Sequence, residues 1–597
     1  MYNVEILLKH IATMELQPVS KSGATADHLE AQQAPDRSVV SKKHDAHEAA
    51  LRDADAEIHV TTSTYLAVFF LGFTFQPSLT FTCLFVFPVI VPIAMELQGS
   101  TYNSNWLASG WSLAGSIAFA LAGQMSDYFG RRYLLMFGQG LLVLGHIIGA
   151  TAQSLEQCIA AMVILGFGTG TTFILYPGIS EILPNKYRPY GLAWTELNLL
   201  PFTTLAPLIA REFVARATWK WIFYLGIITG VISLAGTAAF YFPPARPIRE
   251  YSRRQILAQL DYVGLFFYVS GLTLFLLGLG WAGTSYAWNS AHVLAPLLVG
   301  AVLFVCTFVW DFSGRARRPL FPRWLFAMVR EYTFLLVIIF VTGVVYFTLT
   351  TLMPQQIVYT LTGDATLAGV YNIPGGFGGA AGGVFLGGLI SKIKHVHWQL
   401  TFAIAVQTIF TALQSICWPG QVAKLLVFQL FANAPFAWIT LACYITASLH
   451  VPQEDLGLAL GLIGTFRFLG SAVGTTVFST ILSNRASGST ISRVASAVVP
   501  MGYPADKVSS LVSAIADGAT KPLGLSPEIL SKALEGYQLG WADAFRITWL
   551  ATIPFGLIAC GLAIFVRDPS PYFTNHTAVH LEKEALGKGE KKDVMSE

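Results

Sequence analysis

Gly123-Gln124-Met125-Ser126-Asp127-Tyr128-Phe129-Gly130-Arg131-Arg132 separates two apolar runs, approximately 105–126 and 133–153, with one carboxylate, two arginines and a glycine near either end. The hydrocarbon core of a bilayer takes about 20 apolar residues per helix, so each flanking run is long enough to cross it. The polar stretch between them then reads as a tight turn at a membrane surface. Gly123 allows close helix approach, Gly130 permits the turn, and Arg131 and Arg132 hold it on one side of the membrane. Asp127 can pair with a basic group or with a helix N-terminus on a neighbouring segment. The plainer alternative is a basic turn with an incidental carboxylate.

The rest of the chain has the same character. Of its 597 residues 54% are hydrophobic and only 12% charged, against about 45–50% and about 25% in an ordinary soluble domain. Folded in water, such a chain would lack the polar surface to cover its core. A soluble enzyme, a disordered chain and a fibre are all excluded. The formal net charge of +3 is too small to suggest a nucleic-acid partner. Cys83, Cys158, Cys306, Cys417, Cys443 and Cys560 lie in apolar stretches without CxxC spacing. They form neither a disulfide framework nor a zinc site, and no metal or cofactor is expected.

Fourteen apolar runs are predicted to span, approximately at 65–95, 105–126, 133–153, 157–180, 190–210, 221–243, 262–281, 291–311, 332–353, 366–390, 398–417, 422–447, 456–483 and 547–566. The first is long enough to be tilted, or broken at Pro77. With the N-terminus inside, the cytosolic loops hold Arg131, Arg132, Lys186, Arg188, Arg246, Arg249, Arg253, Arg254, Arg315, Arg317, Arg318, Arg323, Arg330, Lys392 and Lys394. The short outer loops hold only Arg211, Arg216, Lys220 and Lys424. That asymmetry is the positive-inside bias of an even number of spans with both ends cytosolic.

The grouping divides the chain. A disordered cytosolic tail is expected at 1–62, a six-helix half at 63–243, and a linker carrying two extra helices at 244–331. A second six-helix half follows at 332–566, with a long outer loop at 484–545, and a cytosolic tail at 567–597. No cleaved signal peptide is expected, so the first span acts as the insertion signal. Asn575-His576-Thr577 fits a glycosylation sequon, but a cytosolic tail would never meet the transferase. Two six-helix halves suit a transporter built from parallel repeats. A membrane-embedded enzyme should show clustered His, Asp or Ser in its spans, and none is visible. A receptor would carry a longer cytosolic tail.

The 123–132 stretch resembles the loop signature GxxxD(R/K)xGR(R/K) of the major facilitator superfamily at every position but Tyr128. A weaker echo, Gly387-Gly-Leu-Ile-Ser391-Lys392-Ile-Lys394, stands at the equivalent place in the second half without the carboxylate. Ser180-Glu181-Ile-Leu-Pro184-Asn-Lys186-Tyr-Arg188 is similar to the superfamily's E-x-x-P-x-x-x-R. Trp219-Lys-Trp221-Ile-Phe223 is similar to its W-R-W-x-F. Over roughly 60–570 the chain looks most like the fungal trichothecene efflux pump family, which is close to the fungal siderophore–iron transporters. The resemblance implies an all-α polytopic fold, two six-helix halves plus two central helices, and alternating access. It also implies that Gly123, Asp127, Gly130, Arg131 and Arg132 form a conformational gate that stabilises the outward-open state. The departures are as informative. Met162 stands where drug–proton antiporters usually carry an arginine, before Gly166-Phe-Gly168-Thr-Gly170. Their GPxxGG is reduced here to Ala206-Pro207-Leu-Ile-Ala210-Arg211. Proton exchange is therefore implied by the relatives and not by these residues.

Away from the span ends only two full charges are found, Glu196 and Arg467. A charge at mid-bilayer costs about 2.5–3.5 kcal/mol on insertion scales, so such groups face a cavity or a partner. Either Glu196 is a protonatable coupling group and Arg467 a substrate or carboxylate partner, or both are satisfied structural groups. His146 reads as a hydrogen-bonded core histidine. His395 and His397 have no carboxylate or thiol nearby in the sequence. The glycines from Gly375 to Gly383 lack the GxxxxGK[ST] of a phosphate loop and suit close helix packing. No Walker motif occurs, so ATP does not drive the chain directly. The outer loop 484–545 contains two expected short amphipathic helices, near 506–516 and 526–545, either a lid or a passive connector. The expected partners are a small-molecule substrate, protons and the lipid bilayer, with the chain acting as a monomer. Export of a small amphipathic compound is the leading function and ferric-siderophore import the alternative. The expected location is the plasma membrane, with the vacuolar membrane as the alternative.

Overall fold

The computed structural model describes residue 51 and residues 60–97, 106–243, 261–282, 286–316, 319–516 and 526–578. The polar tail read at 1–62, the basic segment 244–260 and the end of the chain beyond 578 fall almost wholly outside them. The described residues are helical, with one isolated β-bridge between Ala282 and Tyr286.

The first half holds α1 (Thr62–Phe73), α2 (Trp106–Phe129), α3 (Arg131–Ala150), α4 (Leu155–Thr172), α5 (Arg188–Arg216) and α6 (Lys220–Phe240). The extra pair is α7 (Tyr262–Trp281) and α8 (Ala291–Phe312). The second half holds α9 (Phe334–Thr360), α10 (Ala365–Gly382), α11 (Val396–Leu413), α12 (Val422–His450), α13 (Leu456–Val498), α14 (Pro527–Leu550) and α15 (Ile553–Ile564). Several helices start where a side chain satisfies the first free amides. The Ser154 hydroxyl accepts from Gln157 N–H at α4, and the Asp364 carboxylate accepts from Thr366 and Leu367 N–H at α10. Past α1 the first apolar run loosens into a π-helix, Gln76–Leu84, and a 3₁₀ turn, Phe87–Val89, with Pro77 and Pro88 near their starts. Each proline removes an amide donor, so the run bends rather than breaking into two helices.

Twelve helical segments are long and apolar enough to cross a membrane. The fourteen expected from the sequence include two that are not among them, α5 and α10. Both are helices of 18 residues or more, but Glu196, Asn198, Thr203 and Thr204 dilute the first and glycines the second. The reason lies in their position, because α5 and α10 pack against each other between the two halves. Backbone meets backbone there: a Cβ at Gly376 would run into the Thr203 carbonyl, and one at Gly382 into the Ala434 carbonyl of α12. The Gly382→Val variant should therefore lose about 1–3 kcal/mol from overpacking, seen as a lowered melting temperature of the purified protein. An unchanged melting temperature would show that α10 and α12 can move apart.

The other large contact between halves is α2 on α13, and α7 and α8 pack on one another beside that seam. α13 does not end near 483, as the sequence suggested, but continues unbroken to Val498. A short helix, Val508–Ala516, and α14 follow it, and α14 leads directly into α15. Val494, Val498, Val508, Leu511 and Ala533 form a small core of their own in this outer part.

Candidate functional site: the gate and the central cavity

Chain direction places the 123–132 turn, the starts of α5, α9, α11 and α13 and the end of α12 at one face of the bundle. This basic face carries Arg131, Lys186, Arg330 and Lys392. At its centre the Asp127 carboxylate accepts hydrogen bonds from Gly457 N–H (3.0 Å) and Leu458 N–H (2.8 Å), the first amides of α13. A helix N-terminus offers unpaired donors and positive dipole, so one buried carboxylate of the first half ties down the second. Arg131 balances it, 3.4 Å from Asp127 and 2.5 Å from Glu181, with all three side chains almost fully buried. Gly123 lies against the Gly457 carbonyl and 3.1 Å from Gly461 Cα for any added Cβ. Gly130 has φ +91°, which side-chain-bearing residues rarely adopt. Arg132 stays within the first half, donating to Ala238 O at 2.8 Å and standing 3.8 Å over the Phe242 ring.

Beyond this cluster lies a cavity of about 1440 Å³, running from Glu196 in the middle of the bundle to the opposite face, where Trp288, Asn484 and Tyr537 line it. Glu196 and Arg467 both line it, and they have different partners. The Glu196 carboxylate accepts from the Tyr176 hydroxyl at 3.4 Å, and Tyr176 stacks on Tyr444 of the second half. The Arg467 guanidinium stands 4.9 Å over the Phe436 ring, and its Nε has no hydrogen-bond partner among the described residues. Gln429 and Asn433 also line the cavity, each with a side-chain oxygen that has no hydrogen-bond partner among the described residues. Leu79, Leu84, Phe87, Trp111 and Leu199 form an apolar wall from the first half. Serines and threonines of α13 (Ser471, Thr475, Ser479, Ser483 and Ser487) face the cavity along successive turns. A neutral, ring-bearing molecule with several oxygens can meet both surfaces without stranding a polar group.

The sequence profile of the fungal trichothecene efflux pump (TRI12) matches residues 27–596. The chain belongs to the fungal trichothecene efflux pump family. It is 30% identical to the MFS-type transporter prx5 of Penicillium rubens, over 77% of this chain and 86% of that one. It is 25% identical to the trichothecene efflux pump TRI12 of Fusarium sporotrichioides, over 85% and 86%. Among solved structures the human organic anion transporter MFSD10 superposes with a TM-score of 0.50 at 13% identity, covering 83% of this chain and all of that one. The protein is thus a multi-pass membrane transporter of the major facilitator superfamily, from a family of efflux pumps. Siderophore import gains no support from these relatives.

Other residues of this efflux-family chain have partners that no sequence pattern indicates. Arg188 is buried and donates to Ser448 O (2.9 Å) and Oγ (3.2 Å), a second tie between the halves at the basic face. His146 is a core histidine, its Nδ1 2.7 Å from Leu142 O. His395 and His397 do have a carboxylate, Asp568, at 3.6 and 3.8 Å, brought from the end of the chain. The Asp568 carboxylate also accepts from Val396 N–H at 2.9 Å, and Ser570 Oγ accepts from His395 N–H at 2.7 Å. These bonds hold Lys394 and His395 at φ 59° and 49°, where the first half uses Gly130. The same tail reaches the first half, with Tyr572, Thr574 and His576 carbonyls accepting from Asn185 and Lys186. The Asp568→Ala variant should weaken this strap by about 1 kcal/mol, the worth of a typical hydrogen bond. Trypsin should then cut after Lys394, in the turn that Asp568 straps, about fivefold faster. An unchanged cleavage rate would mean that Asp568 does not hold the tail.

Proposed function

We propose that this chain exports a small amphipathic organic compound across the plasma membrane, driven by the proton gradient and cycling by alternating access over fourteen spans. The observation that carries this is the central cavity, open away from the basic face and closed toward it by Asp127, Arg131, Glu181 and the N-terminus of α13. Basic loops face the cytosol, so the basic face is the cytosolic one and this is the state that releases substrate outward. The relatives named as trichothecene efflux pumps support export as the direction and an oxygenated, ring-rich compound as cargo. In this scheme Glu196 is the proton-coupling group. Among the described residues it is the one carboxylate in the cavity wall, and taking up a proton would remove its charge before the halves close around it. Arg467, with its face on Phe436 and an unpartnered Nε, binds an acceptor oxygen of the substrate. Each proton crossing 100 mV supplies about 2.3 kcal/mol, enough for about a fiftyfold concentration ratio. The chain works as a monomer, since each copy contains both halves and the whole cavity.

Accumulation of labelled trichothecene in a host stripped of its own pumps tests the proposal. Expression should lower accumulation, and a protonophore should restore it. Unchanged accumulation, or lowering that survives the protonophore, would contradict it.

A further inference from the structure

The two extra helices are not needed to complete either six-helix half, yet α7 reaches the substrate cavity. The seam between α2 and α13 is closed at the basic face, where Gly123 meets Gly457 and Gly461, and Phe119 fills the space beside Gly464. Halfway along, α7 docks into it. The Tyr268 side chain is fully buried, and its hydroxyl donates to Ser116 O at 3.2 Å. Toward the far face the two helices no longer close on each other. Ser112 and Ser116 of α2 and Ser471 and Thr475 of α13 line the cavity, and so do Leu276 and Leu279 of α7. Leu276, Leu279 and Gly280 share one face of α7, at i, i+3 and i+4, and Leu279 is only 6% exposed. The outward side of the pair is different: Leu298, Val302, Val305 and Val309 of α8 are exposed apolar residues, suited to lipid.

We infer that the outer half of the α2–α13 seam, walled by α7, is a second part of the substrate site that takes an apolar ring or alkyl flank of the exported compound. This rests on the export proposal above. Without α7 the seam would open the cavity to acyl chains. With it, the opening becomes a side pocket whose floor is leucine and whose edges are serine and threonine hydroxyls. Trp288 lines the cavity at the same end, and its indole N–H has no hydrogen-bond partner among the described residues. An oxygen on the flank of the substrate would supply one. The two added helices therefore act in selection, and the residue at 276 sets how much bulk the pocket admits.

Two measurements separate this inference from the export proposal. In a Cys83→Ser background, since Cys83 also lines the cavity, Leu276→Cys and Thr475→Cys are exposed to a membrane-impermeant thiol reagent on the far face, with modification read by mass spectrometry. Leu276→Cys should be modified at a rate within about tenfold of Thr475→Cys, and Val302→Cys should stay unmodified. Modification of Thr475→Cys without Leu276→Cys would overturn the inference whether or not the protein exports anything. In cells, Leu276→Trp should cut export of a trichothecene bearing a bulky ester by at least about tenfold, as expected of a filled apolar pocket, while sparing one without the ester. Leu276→Ala should relax that preference. Equal loss of both compounds in both variants would contradict the pocket. If the parent chain exports neither, the export proposal fails and the labelling result alone decides whether α7 walls the cavity.

Discussion

In the Asp127→Ala variant, the basic face is expected to stand open in the resting protein. The carboxylate accepts from the Gly457 and Leu458 amides in the first turn of α13 and faces Arg131, all away from water. Alanine removes both charge-assisted hydrogen bonds. It takes from Arg131 one of its carboxylate partners and leaves the α13 N-terminus with unpaired donors. Removing one partner from a buried charged cluster costs about 3–5 kcal/mol. That cost falls only on the state in which the halves meet at this face. Since 1.4 kcal/mol is about tenfold in a two-state equilibrium, the closed population should fall at least about a hundredfold. Spin labels at Tyr133 and Ile393, exposed residues at this face on opposite halves, should report a longer separation in the variant. Asp127→Asn, which keeps the shape and one acceptor oxygen, should fall between the two. Distances unchanged from the parent would mean that Arg188 and the tail hold the face closed without Asp127.

The second large effect belongs to Glu196→Gln. Glutamine matches the carboxylate in shape and can still accept from Tyr176, so packing against Tyr176 and Gly383 should survive. What is lost is the group that can take up and release a proton. Without it, exchange of labelled for unlabelled substrate should continue, while uphill export stops. The gradient forgone is about fiftyfold per 100 mV for each coupled proton. Retained uphill export in Glu196→Gln would remove Glu196 from the coupling role and leave it as a packing group.

Much of this was legible in the sequence, and the parts that were not share a cause. The membrane class follows from composition, because a water-soluble surface cannot be made from so few charges. The turn at 123–132 stands out in the sequence because glycines, a carboxylate and arginines sit within one loop. The partner of Asp127 is not, since the amides of Gly457 and Leu458 belong to every residue and lie 330 and 331 positions away. Asp568 illustrates the same limit: nothing near His395 in the chain announces it. Hydropathy leaves α5 and α10, both read as spans in the sequence, out of the twelve membrane-crossing helices for a related reason. It measures fitness for lipid, whereas these helices bury Glu196 and a run of glycines against each other and the cavity. The extra helices read only as two more apolar spans. A face at i, i+3 and i+4 that meets a cavity instead of lipid has the same apolar composition either way.

The most direct test uses purified protein in liposomes with a trichothecene on one side and an imposed pH gradient. In vesicles with the basic face outward and the lumen acidic, the toxin should accumulate inside in the parent. Accumulation should disappear when the gradient is collapsed and in Glu196→Gln. Accumulation indifferent to the gradient, or movement only down the toxin's own gradient, would contradict proton-driven export.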